Sequence, residues 1–209
     1  MKKMHPIEAL IEQGEHQQLD FKFEVSDSKK IARTLSAFAN TDGGRLLIGV
    51  KDNGNISGVR SEEEYYMIEA ASKMYTRPEV PFEATRWEVN GKTVLEVYIA
   101  PSSDKPHTAP DKDDKFKAYI RVADENILAN EVLVLAWQKK HKPDGTLLKI
   151  SKPVERLFAY LDDHPHINIS RIGRINYYTA KNILSDLLAM NTLQYLVIDK
   201  HILYQRVPA

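Results

Sequence analysis

The sequence predicts an α+β protein: a mixed sheet with flanking helices, followed by a smaller module of short helices and a hairpin. Three observations predict it. Several short segments, among them Leu19–Phe23 and Phe116–Val122, alternate apolar and polar residues as half-buried strands do. Between them, residues such as Ile31, Leu35, Phe38 and Ala39 recur at helical spacing. Beyond His141-Lys142-Pro143-Asp144-Gly145 the strand-rich pattern gives way to short helical stripes. The expected division is a first domain over 1–140, a linker over 141–150 and a second domain over 151–209.

Ile7 to Gly14 reads as a short helix stopped by glycine. In the strand that follows, Leu19, Phe21 and Phe23 face the core and Asp20 and Lys22 share the open face. Ser26-Asp27-Ser28 offers cap chemistry for the helix through Ala39, and Asn40-Thr41-Asp42-Gly43-Gly44 ends it. Arg45 to Val50 has the apolar run of a central strand, and Asp52-Asn53-Gly54-Asn55 turns toward a short return at Ile56 to Val59. Ser61 with Glu64 opens a helix through about Tyr75, which Pro78 and Pro81 break. Phe82–Val89 and Thr93–Ala100 form a hairpin across Asn90-Gly91, a pair suited to a type I′ turn.

Pro101 to Asp114 reads as a long polar loop. In the strand after it, Lys117, Tyr119 and Arg121 make a basic and aromatic outer face. A helix covers Asn130 to Lys139, and Lys139-Lys140 form its solvated end. In the second module, Pro153 starts a helix whose stripe is Val154, Leu157, Phe158 and Leu161. Ser170 to Ile175 is a second short helix, and Asn176 caps a third. Tyr195–Ile198 and Ile202–Arg206 close a hairpin. This order suggests a winged helix-turn-helix.

The chain carries 29 Lys and Arg against 29 Asp and Glu, a formal net charge of zero. That excludes a wholly basic coat binding nucleic acid by bulk charge, and leaves room for a basic patch. With no cysteine there are no disulfides, zinc–cysteine sites, iron–sulfur clusters or cysteine nucleophile. Lys2-Lys3 is not followed by an apolar segment of signal-peptide length, and the best apolar run, Leu46–Val50, is too short to span a membrane. The expectation is a cytoplasmic protein with no membrane partner.

Several motifs stand in order over more than half the chain. They are Glu15-His16-Gln17-Gln18-Leu19-Asp20-Phe21-Lys22, Ser36-Ala37-Phe38-Ala39-Asn40-Thr41-Asp42-Gly43-Gly44, Leu46–Val50 with Asp52-Asn53-Gly54, Lys105-Pro106-His107 and Ala118-Tyr119-Ile120-Arg121-Val122. From Glu15 to about Asn130 the chain resembles the Schlafen AlbA-type domain family. The resemblance implies a Schlafen AlbA-like mixed sheet that binds nucleic acid, often in bacterial transcriptional regulators. Some descriptions of the family imply an ATPase. Certain animal relatives are metal-dependent ribonucleases, and their three acids would fall on Glu15, Asp20 and Asp52. The second is usually glutamate there, one methylene longer than Asp20.

The main expectation is therefore nucleic-acid binding, with duplex DNA as partner and transcription regulation as role, requiring no cofactor. Lys22, Lys117, Tyr119 and Arg121 are its candidates in the first domain. Lys and Arg would hold phosphates while Tyr119 stacks on a base. In the second domain the candidates are Arg174, Tyr177, Lys181 and Lys200, around the third helix and the wing. The alternative is a nuclease in which Glu15, Asp20 and Asp52 bind Mg²⁺ or Mn²⁺ and activate water. ATP binding finds less support, because the phosphate-loop pattern is absent and Gly43-Gly44 can serve simply as a helix-to-strand turn. A docking or homodimerisation role for the C-terminal helices is the remaining reading.

Overall fold

The computed structural model describes residues 4–171 and 175–208. The chain forms two compact units, Met1–Leu128 and Ala129–Ala209.

In the first unit, α1 (Pro6–Ile11), β1 (Leu19–Lys22), α2 (Ser28–Asn40), β2 (Gly44–Ile48), α3 (Glu63–Tyr75), β3 (Glu83–Val89) and β4 (Lys92–Ile99) precede β5 (Thr108–Pro110), β6 (Phe116–Val122) and β7 (Glu125–Leu128). One sheet has the order β1-β2-β4-β3, with β1 parallel to β2 and the other pairs antiparallel. A second sheet, β5-β6-β7, is antiparallel. The long loop expected over 101–114 thus contains a strand, and β7 was not expected at all. Both are too short to carry a readable period. Of the expected return at Ile56 to Val59, only an isolated bridge between Val50 and Ile56 forms.

The four-stranded sheet is covered on both faces, which explains the unbroken apolar run of β2. On one side Leu46, Ile48, Leu95, Val97 and Ile99 pack with Ile31, Leu35 and Phe38 of α2 and Ile68 of α3. On the other, Leu19, Phe21, Leu47, Val50 and Val94 pack with Ile7 of α1 and with Trp87, whose Nε1 donates to Glu96 at 2.7 Å. Phe23, expected in the core, lies past the end of β1 and is 41% exposed, with the Lys51 ammonium over its ring.

Helix α2 begins where the Asp27 carboxylate accepts from the amides of Lys29 and Lys30. It ends where Gly43, at φ +70°, donates its amide to the Phe38 carbonyl. Neither member of the glycine pair could bear a side chain. A Cβ on Gly43 would come within 2.6 Å of the Ile99 carbonyl oxygen, and one on Gly44 within 2.6 Å of the Phe38 ring. The Asn90-Gly91 hairpin turn has both residues at positive φ, as its sequence predicts.

Asn40 ties the second sheet to α2. Its Nδ2 donates to the carbonyls of His107 and Tyr119, each at 2.8 Å, and its Oδ1 accepts from the His107 amide at 2.8 Å. His107 is itself buried. Its Nδ1 faces the Pro78 carbonyl at 2.9 Å, which can only accept, so Nδ1 carries the proton and Nε2 accepts from the Ser102 hydroxyl at 2.7 Å. Burial holds the imidazole below its ordinary pKa.

The second unit contains α4 (Glu131–Lys140), α5 (Lys152–Asp163), a 3₁₀ turn (Ile169–Arg171), α6 (Tyr177–Ala189) and the hairpin β8 (Leu193–Ile198) and β9 (His201–Arg206). Of the rest of the expected second helix, residues 172–174 lie outside the described residues and Ile175 is not helical. Asp199 and Lys200 both have positive φ at the hairpin turn. Helix α6 buries Ala180, Ile183, Leu184, Leu187 and Leu188, and α5 buries Val154, Leu157 and Leu161. Trp137 sits on α4, which packs on α6. Lys139, expected at a solvated end, is buried between them, with Ser185 Oγ at 2.8 Å and Asp186 Oδ1 at 2.6 Å. An ammonium this far buried is costly unless paired, and these acceptors pair it.

Two predictions follow from the Asn40–His107 clasp. Asn40→Ala leaves the His107 amide and the Tyr119 carbonyl without their partner, while the His107 carbonyl keeps the Ser36 hydroxyl, and should cost about 2–4 kcal/mol of stability in urea unfolding. Because the folded state keeps His107 neutral, stability should fall as pH drops below about 6.5, where the unfolded imidazole protonates first. His107→Gln, compared over the same pH series, should lack that slope.

Candidate functional site

Strand β1 was expected to present Asp20 and Lys22 to solvent. Instead Asp20 is only 3% exposed, because strand alternation aims it to the α2 side of the sheet, where β6 supplies a cation. Arg121, 2% exposed, donates from Nη2 to Asp20 Oδ1 at 3.1 Å, and its guanidinium lies 5.2 Å from the Phe38 ring centre. Lys22 Nζ is 2.7 Å from Asp20 Oδ2, an ion contact without well-directed hydrogen-bond geometry. Arg121 also donates to Asn126 Oδ1 at 3.1 Å, and Asn126 Nδ2 donates to the buried Thr34 hydroxyl at 3.0 Å.

The outer face expected on β6 is therefore an inner one. Tyr119 is 7% exposed and Arg121 less, because α2 covers the side of β6 they share. Only Lys117 of that trio is exposed. Arg121 acts here as the internal partner of Asp20, with no open path to a phosphate.

Of the three acids, two come together. Glu15 Oε1 accepts from the Phe21 amide at 2.9 Å, and its carboxyl lies near that of Asp20. Burial, then the Asp20 carboxylate, raise the Glu15 pKa, against the Phe21 amide and the charge of Lys22. Asp52 lies on the exposed turn after Val50. Among the described residues no group of three His, Asp or Glu is placed to hold a metal ion. These residues do not fit Mg²⁺ or Mn²⁺ as arranged: Asp20 already has two cationic partners, and the three acids are not gathered into one cluster.

What the structure assembles instead is a groove of about 510 Å³ over the N-terminal half of α2. Lys22, Lys30 and Arg33 bring positive charge to it, while Val25, Ile31 and Tyr119 give apolar and aromatic surface. Thr34 and Asn126 join its lining to the Asp20–Arg121 pair. Arg33 is held by its Nε donating to the Pro110 carbonyl at 2.7 Å. Burial raises the Tyr119 hydroxyl above its ordinary pKa, and the Arg33 charge pulls it back. Lys30, Arg33, Thr34 and Asn126 were not singled out from sequence. The spacing of Lys30 and Arg33, one helical turn apart and beside the Ile31–Leu35 stripe, was the signal that could have found two of them.

In the second unit, Tyr177 and Tyr178 are exposed at the start of α6. Lys181 is half-buried, paired with Glu131 at 2.9 Å and lying over both tyrosine rings. Lys200 is exposed on the hairpin turn. Arg174 lies outside the described residues. No helix among the described residues is long and apolar enough to cross a membrane.

This arrangement defines an α+β domain whose two sheets are joined through one helix, with a charged groove along it. The family described as Schlafen, AlbA_2 matches residues 15–130, more than half of the chain, and the chain belongs to that family. Two solved structures are similar. The DIP2311 protein from Corynebacterium diphtheriae is 19% identical over 77% of this chain and 35% of its own, with a TM-score of 0.48. The chain thus spans about a third of that protein. The N-terminal domain of a RecG-related protein from Nitrosomonas europaea is 22% identical over 61% of this chain and 97% of its own, with a TM-score of 0.37. Neither likeness carries an activity across. No curated protein matches the chain.

Removing one member of the buried ion pair leaves the other uncompensated. Asp20→Ala should destabilise the chain by about 3–5 kcal/mol in denaturant unfolding, and Asp20→Ala with Arg121→Met should recover part of that loss.

Proposed function

We propose that the chain binds nucleic acid, in the finer reading DNA as part of transcriptional control, with the groove over α2 as the contact surface of the first unit. The observation that carries this is the gathering of Lys22, Lys30 and Arg33 around Tyr119 and Ile31, cations for phosphates beside ring and apolar surface for a base. Membership of the AlbA_2 family supports the same class of partner. In the second unit the proposed contacts are Tyr177, Lys181 and the Lys200 turn, on the view that three helices and a hairpin act as a winged-helix-like reader. Lys181 would first have to exchange its Glu131 partner for a phosphate.

The test is a binding titration of the whole chain with labelled duplex DNA, single-stranded DNA and RNA at several salt concentrations. The logarithm of affinity should fall linearly with the logarithm of salt, and Lys30→Ala should lower the slope by about one phosphate contact. Absence of binding to every polymer at low salt would sink the proposal.

A further inference from the structure

The groove's charge does not suit a bare polyanion. Beside Lys22, Lys30 and Arg33 the lining carries the carboxylates of Glu24, Asp27 and Glu125, so its formal charge sums to zero. Asp27 is committed in part to capping α2 through the amides of Lys29 and Lys30. A duplex backbone would meet these acids with nothing to offer them, since its outward groups are acceptors.

A ligand that carries both an anion and hydrogen-bond donors fits better. An unpaired nucleotide is such a ligand. Its phosphate suits the Lys and Arg heads, and its exocyclic amine and ribose hydroxyls are donors for carboxylates. Its ring suits the apolar edges that Val25, Ile31 and Tyr119 leave open in the lining. The volume, about 510 Å³, lies within the range of small-ligand sites. A base still paired in a duplex has its hydrogen-bonding edge occupied and a second strand attached, and cannot enter such a hollow. The polar floor is also built rather than incidental: Thr34 is buried, and Asn126, which donates to it, is fixed from behind by Arg121.

From this we infer that the groove over α2 accepts one unpaired nucleotide, held by its phosphate at Lys30 and Arg33 and by its base against Ile31 and Tyr119. The inference rests on the nucleic-acid reading of the same groove and narrows it to an unstacked or terminal nucleotide.

Calorimetric titration of the full chain with nucleoside 5′-monophosphates, the parent nucleosides and inorganic phosphate tests it. The monophosphates should bind saturably. Nucleosides and inorganic phosphate should each be weaker by about tenfold, since each lacks one of the two contact sets. Lys30 is exposed, so Lys30→Glu should leave thermal unfolding unchanged while weakening the monophosphates by about tenfold or more. No monophosphate binding, equal binding by inorganic phosphate, or binding indifferent to Lys30→Glu would each overturn the inference. Polymer binding that monophosphates fail to displace would overturn it while leaving the proposed function standing. Monophosphate binding without any polymer binding would do the reverse.

Discussion

The first unit depends on the amide of Asn40. The second sheet has no strand hydrogen-bonded to the first, so something other than a ladder must fix one against the other. Asn40 does so from the last turn of α2, serving one amide and two carbonyls of β6 and the segment entering β5. An amide is the one side-chain group of this length that both donates twice and accepts, which aspartate or leucine cannot do. Two glutamines extend the tie. Gln17 accepts from the Ala123 amide and donates to the Arg121 carbonyl, while Gln18 donates to the Asp42 carbonyl. The motif around Asn40-Thr41-Asp42-Gly43-Gly44 is thus consumed by architecture. Its glycines are there because backbone and a phenyl ring occupy the space a side chain would need.

Electrostatics divides the same region into an inner and an outer layer. Asp20 and Arg121 neutralise each other inside, where an isolated charge would be costly, and Asn126 and Thr34 pass that order outward to the groove. Lys22 stands on the boundary, touching Asp20 and lining the groove at once. The groove's cations are therefore not interchangeable. Lys30 sits on the open face of α2, Arg33 is anchored by Pro110, and Lys22 belongs half to the interior.

Periodicity revealed the fold where segments were long enough to show it. Helices α2, α3, α5 and α6 and the β3–β4 hairpin lie close to where apolar spacing and turn residues put them. Strands β5 and β7, of three and four residues, were invisible for the converse reason. Alternation alone also misjudged β1 and β6. It tells which residues share a face, not whether a helix covers the second face, and so Asp20, Tyr119 and Arg121 were expected in water. Lys139 was misplaced by the same reasoning, since a helix end looks solvated until another helix is packed on it. The groove draws on α2, β6 and β7, and no window of sequence contains it.

The placement of the two indoles has a practical consequence. The chain holds two tryptophans, Trp87 on β3 in the first unit and Trp137 on α4 in the second. A chain with Trp87→Phe would show indole fluorescence from α4 alone, and one with Trp137→Phe from β3 alone. Each unit therefore carries its own optical reporter. Whether the two halves melt as one cooperative body or in succession can be followed without attaching any dye.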